Sequence, residues 1–139
     1  MVRVPDWETK LIEKSMAPHK FEWGVSDCAL DGANWVRDIT GRDIAEKFRG
    51  KYKGVKGAVS ALKKYGEGSL SETMSALLPL RDASEVAMRG DLVGVPGETP
   101  ELFDCAIGVC AGTVVMVMGS DGTLVSVPIS QRLFAWKVD

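Results

Sequence analysis

The feature that most restricts what this chain can fold into is a change of period near residue 90. Up to residue 78 apolar residues recur at helical spacing. From residue 91 they come in short, β-branched runs separated by glycine turns. Helices first and strands after, with no alternation, predict an α+β fold in which N-terminal helices pack on a C-terminal antiparallel sheet. The first helix is expected over 5–16, with Pro5 at the first helical position and Trp7, Leu11, Ile12 and Met16 along one face. The second starts at Asp27 or Cys28 and runs to Thr40, stopping at Gly41. Its face of Ala29, Leu30, Ala33, Val36 and Thr40 is small enough for close packing on a sheet. A short helix over 58–65 follows, then one over 69–78 opened by a Ser69/Glu72 capping box and striped by Leu70, Met74, Leu77 and Leu78. Strands over 91–95, 103–111, 113–118 and 123–127 read as a meander. Pro128 begins a connection, and "FAWKV" (134–138) supplies a last strand whose Trp136 closes the core.

A chain of 139 residues fits one domain, 1–139, at roughly 100–200 residues per domain. Its net charge of −2 lacks the basic footprint of a nucleic-acid binder. No apolar run approaches the roughly 20 residues of a membrane-spanning helix, and the N-terminus lacks a signal-peptide core, so synthesis in a cytoplasm is expected. Three cysteines, an odd number, argue against a disulfide framework. The spacing of Cys105 and Cys110 fits no common zinc pattern, and both read as small buried strand residues. Neither a metal nor a cofactor is expected.

The stretch "FEWGVSDCAL" (21–30) carries the chemistry. A cysteine in the first turn of a helix faces unpaired backbone N–H groups and the positive end of the helix dipole, which stabilise a thiolate. The same N–H groups can hold an oxyanion during acyl transfer. Trp23 and Gly24 form a turn that lets a substrate approach, and Asp27 caps the helix. The alternative reading of these residues is an ordinary helix start.

Two later segments, "RGDLVGV" (89–95) and "AIGVCAG" (106–112), follow Cys28 in the order helix, strand, strand. Together with Phe21, Trp23, Gly24, Asp27 and Cys28, they make the chain resemble the NlpC-type cysteine hydrolases. These are papain-like cell-wall peptidases with a cysteine-bearing helix packed on an antiparallel sheet. Gly90-Asp91-Leu92-Val93 matches their Gly-Asp strand. Residues 106–112 match the strand that in those enzymes begins with the catalytic histidine. The whole chain is also similar to an uncharacterised family found in phages and prophages beside tail genes. That resemblance rests on Trp23–Cys28, Thr40–Asp43, Phe48-Arg49-Gly50 with Tyr52, the Gly119–Gly122 turn with Leu124, and Ala135–Val138. It implies an NlpC-like, papain-like core, a place in the virion tail, and synthesis in the bacterial host cytoplasm.

The resemblance breaks at the catalytic partners. Ala106 occupies the histidine position, and Met118 stands where the residue orienting that histidine would be. Without a histidine, a thiolate has no acid to protonate a leaving amine, a step worth typically 10²–10⁴-fold. His19, the only histidine, lies ahead of the Trp-Gly turn, and nothing in its spacing places it at the thiol. In a regular strand Asp104 and Cys110 share the face of Ala106. Asp104 could then approach Cys28, where a carboxylate would raise the thiol pKa, and Cys110 could form a redox pair with it. The pocket expected from the resemblance is therefore Trp23, Gly24, Asp27, Ala106 and Gly108 around Cys28, a vestigial or candidate nucleophile.

Lys47, Arg49, Lys51, Lys53 and Lys56 alternate with Phe48 and Tyr52. Such interleaving can bind single strands, but without net positive charge a neighbouring tail protein is the expected partner. Lys51 and Lys53, with Trp35 on the helix side away from Ala29 and Ala33, are its candidate contacts. Phe48 and Tyr52 are read as anchors to the core. The function expected from all of this is a phage tail-tip or tail-assembly component on a degenerate cysteine-peptidase-like scaffold, without catalysis. The alternative is an active cell-wall amidase or peptidase using Cys28 as phage DNA enters the cell. Expected partners are other tail proteins and, at the pocket, a peptidoglycan peptide.

Overall fold

Asp27 ends the helix-opening turn, and its side chain accepts from the backbone N–H groups of Ala29 and Leu30, so α2 begins at Cys28. It runs Cys28–Thr40 and stops where Gly41 turns into the left-handed region at φ 78°. The computed structural model describes residues 2–139, with three further helices: α1 Trp7–Met16, α3 Val55–Tyr65 and α4 Leu70–Leu77. Five strands follow, β1 Leu92–Val95, β2 Ala106–Cys110, β3 Val114–Met118, β4 Leu124–Pro128 and β5 Phe134–Trp136. They form one antiparallel sheet in the order β4-β3-β2-β1-β5. The expected α+β architecture is therefore present, with four helices on a five-stranded antiparallel sheet. No helix among the described residues is long and apolar enough to cross a membrane.

Boundaries differ from expectation for local reasons. Pro5 and Asp6 form a turn, and α1 starts at Trp7. Only Leu11 of its expected apolar face is buried, while Ile12 and Met16 are exposed, because α1 docks along a narrow line held by Lys14 Nζ on Asp31 Oδ1 at 2.8 Å. α3 starts three residues earlier than its apolar pattern implied, with Gly54 as its N-cap. Ser69 caps α4 by accepting from the Glu72 N–H, and no return bond from the Glu72 side chain completes the box. β2 begins at Ala106 rather than 103, since Asp104 is turned aside to α4.

The sheet has two buried faces. Leu92, Cys105, Ile107, Val109, Met116 and Trp136 face the helices, and Trp35, Val36 and Ile39 of α2 complete that core. Gly32 makes the contact close: an added Cβ would stand 2.8 Å from Ile107 Cγ2. The other face carries Val93, Val95, Cys110, Val115, Val117 and Ala135, with Ala106 packed against them. The two edge strands, β4 and β5, are joined only by residues 129–133, three of them in a 3-10 turn. Five flat strands would set the edges ~19 Å apart, more than the ~16 Å that such a link spans. The sheet is therefore curled, and its inner face is built of small residues. Gly108 is one of them: a Cβ there would overlap Val117 Cγ2 at 2.7 Å.

Candidate functional site

The turn before α2 is organised by one carboxylate. Asp27 is 1% exposed. Its Oδ1 accepts from Ala29 N at 3.1 Å and Leu30 N at 3.0 Å. Its Oδ2 accepts from Gly24 N at 3.0 Å and from the Tyr52 hydroxyl at 2.5 Å. Gly24 is required here, because its φ is 80° and any Cβ would collide with the Tyr52 carbonyl oxygen. Its own carbonyl accepts from Gly50 N at 2.9 Å. Trp23 packs edge-on against Phe21 and Tyr52, with ring centroids 5.0 and 6.4 Å away. Burial and the Asp27 charge hold the Tyr52 phenol above its usual range, so it stays a donor.

Cys28, half-buried, is the first residue of α2, the position the sequence indicates for a nucleophile. On its inner side lies a small apolar void of about 50 Å³ under Phe48, Leu62 and Met74. Outward it borders a cleft of about 570 Å³ lined by Trp23, Phe103, Cys105, Ala106, Val125 and Val127, among others. Burial, then the Asp27 carboxylate, push the Cys28 thiol up to about 11. The N–H groups of Ala29 and Cys28 itself act in the opposite direction and are outweighed. The local geometry offers oxyanion-type donors, but the sulfur beside them stays protonated at neutral pH.

None of the expected partners supplies a base. Ala106 lines the cleft, but its side chain belongs to the inner face of the curled sheet, packed with Val93 and Val95. Gly108 is not a pocket residue. It lies on that inner face against Val115 and Val117, because alternation along β2 turns it away from α2. Cys110 is on the same face, so the suggested pairing with Cys28 is not formed. Cys105, just before β2, faces the helices beside Ile107 and shares the cleft with Cys28. Burial, then Asp104, then Cys28 raise the Cys105 thiol to about 12. Asp104 does not approach Cys28 with a free carboxylate: it accepts from Ser71 N at 3.1 Å and from the Ser71 hydroxyl, serving the start of α4. Met118 is buried and brings only a thioether. His19 lines a different cleft with Lys10, Lys14 and Asp31, and its Nε2 donates to the Lys14 carbonyl at 2.9 Å.

Trp35 is not a partner contact. It is 2% exposed, and its Nε1 donates to the Gly90 carbonyl at 2.8 Å, tying α2 to the approach to β1. Lys51 and Lys53 do point to solvent, while Phe48 and Tyr52 are buried as anchors. The role of Tyr52 as a ligand of Asp27 is not apparent from sequence; the only signal was its place in a shared Phe-Arg-Gly-x-Tyr segment.

The second motif aspartate, Asp91, is fully buried and equally occupied. Arg81 Nε donates to its Oδ2 at 2.8 Å and Arg3 Nη2 to its Oδ1 at 3.3 Å. Met88 N and Val138 N donate at 2.8 and 3.2 Å. Arg3 also reaches the Val138 carbonyl, so this carboxylate fastens both chain ends to the loop before β1. The Gly-Asp segment thus has an architectural use here.

No curated protein and no solved structure matches the chain. Residues 2–138 match the family described as Domain of unknown function (DUF6950), and the chain belongs to that family.

Proposed function

We propose that the protein is a non-catalytic component of a phage tail tip or of tail assembly, built on an NlpC-like, papain-like scaffold that has lost its catalytic machinery. The observation that carries the non-catalytic reading is the environment of Cys28. Its thiol is pushed up to about 11, the charges bearing on it are the carboxylates of Asp27 and Asp31, and the only histidine is hydrogen-bonded elsewhere. With the pKa near 11, about one molecule in 10⁴ carries a thiolate at pH 7. The tail assignment rests on the end-to-end sequence resemblance, and exposed Lys51 and Lys53 are the side chains offered to a neighbouring tail protein. The protein is then made in the host cytoplasm and carried in the virion.

Mass spectrometry of purified virions should find the chain in the tail fraction. Cys28→Ser should leave assembly and infectivity unchanged, and loss of infectivity from that single substitution would overturn the reading.

One observation favours a second reading, an active cell-wall amidase or peptidase. The apolar cleft of about 570 Å³ at Cys28 has the size of a small-ligand site, typically ~300–1,000 Å³. A peptidoglycan peptide is the guest it would take. Incubating purified protein with muropeptides and assaying for new amino groups separates the readings. Release that vanishes in Cys28→Ser establishes the enzyme; no release from the wild type supports the structural role.

A further inference from the structure

The two edges of the sheet are treated differently. The outer edge of β5 is covered: Arg81 N donates to the Ala135 carbonyl at 2.8 Å, Lys137 N donates to the Pro79 carbonyl at 2.9 Å, and Leu80 bridges to Trp136. β4 pairs with β3 alone, and no strand among the described residues pairs with its other side. Natural edge strands are usually blunted by charge, proline or a bulge, because their free backbone groups are a template for another strand. From Thr123 to Gln131 there is no charged residue, and Pro128 stands only at the end of β4. Val125 is 49% exposed.

The register decides which groups are free. Ile129 N donates to the Thr113 carbonyl, and Gly119 N to the Thr123 carbonyl. In the same ladder Val127 faces Val115 and Val125 faces Val117, so residues 123, 125, 127 and 129 direct their backbone groups to β3. Leu124, Ser126 and Pro128 therefore direct theirs outward. The free edge offers two donors, the N–H groups of Leu124 and Ser126, and three carbonyls.

We infer that this edge pairs antiparallel with β4 of a second copy, about a twofold axis through Ser126, to join two sheets into one. The strand reads Leu-Val-Ser-Val-Pro and is nearly symmetric about its centre. In this register Ser126 opposes the second copy's Ser126, each donating its N–H to the other's carbonyl. Leu124 opposes Pro128, and its N–H donates to the proline carbonyl. Val125 opposes Val127, a favourable β-branched pair. All four outward donors of the two strands are used, and proline, which has none to give, costs the pairing no unsatisfied N–H. A parallel pairing does not achieve this, and an antiparallel one centred on Val125 uses the same donors but sets Val127 and Pro128 opposite the turn before β4. The contact is isologous, as closed dimers require.

Sedimentation of the full chain at about 100 µM should give a dimer. Ser126→Pro removes an outward donor without touching the β3 ladder, and should give a monomer with an unchanged circular dichroism spectrum. Should that variant not fold, Ser126→Lys, which places edge charge on an exposed position, must give the same monomer. Ser126→Cys should form an intermolecular disulfide on mild oxidation, since paired Cα atoms ~5.5 Å apart lie within bridging range. Ser130→Cys should not. A monomeric wild type, a dimer that survives Ser126→Lys, or a wild type that takes up a foreign strand only would each overturn the inference. None of these outcomes bears on the muropeptide assay or on virion composition.

Discussion

Asp27 and Asp91 are the aspartates of the Asp-Cys and Gly-Asp motifs, and both are buried to 1% exposure or less. They are satisfied in opposite ways. Asp27 is surrounded by neutral donors, three backbone N–H groups and one phenol, and its negative charge is left to act on the neighbouring thiol. Asp91 is held by two arginines and two backbone N–H groups, so its charge is cancelled locally. The difference teaches that a buried aspartate acts on its neighbours only where its charge is not already matched. One carboxylate is a helix cap that raises the pKa of the adjacent cysteine, and the other is a joint that ties Arg3 and Val138 to the loop before β1.

The comparison can be broken at its stronger side first. Asp91→Ala leaves partly buried Arg3 without its carboxylate partner and Arg81 with only Glu85 at 3.5 Å, and removing one partner of a buried ion pair typically costs about 3–5 kcal/mol. Urea unfolding should show a loss of that size; a loss under about 1 kcal/mol would mean that the joint is not the anchor of both termini. Asp27→Ala removes a cap and strands the Gly24 N–H and the Tyr52 hydroxyl, for a loss of about 2–3 kcal/mol by the same measurement. Tyr52→Phe deletes one charge-assisted bond and should cost about 1–2 kcal/mol. In a double-mutant cycle with Asp27→Ala the two losses should be less than additive. Full additivity would show that the phenol does not act through the carboxylate.

The smallest effect is the most diagnostic for the thiol. Iodoacetamide labelling of Cys28 in the folded protein should rise only toward pH 11, far above an ordinary cysteine. Asp27→Asn, which keeps much of the shape and removes the charge, should move that rise to lower pH, because the carboxylate is the second cause of the shift after burial. Cys28 is shifted in the direction that favours the neutral thiol in the folded state. Its contribution to stability is therefore complete below pH 9 and is lost as pH rises through about 11. A Cys28 that labels with a midpoint below pH 7 would restore the enzyme reading.

Much of this was legible in the residues themselves. Asp27 and Gly41 bracket α2 by local chemistry, a side-chain cap and a left-handed stop, and both act within a few residues. The glycine-separated runs after residue 90 give antiparallel strands for the same reason: short links leave no room for crossover helices. The class of fold and the place of Cys28 at a helix start were therefore readable. The absence of a histidine at 106 was equally plain.

What tertiary structure alone decided is which way side chains turn once strands begin and end. The start of β2 moved from 103 to 106 because Asp104 serves α4. Alternation then put Cys105, not Ala106 or Gly108, on the helix side, and no pattern along a strand states which parity faces the core when both faces are apolar. Trp35 went inside for a similar reason. Its ring edge found the Gly90 carbonyl, 55 residues away, a partner that exists only after α2 lies on the sheet. Local chemistry in the sequence determined the seat of the thiol. Long-range packing determined its neighbours, and through them that it stays a thiol.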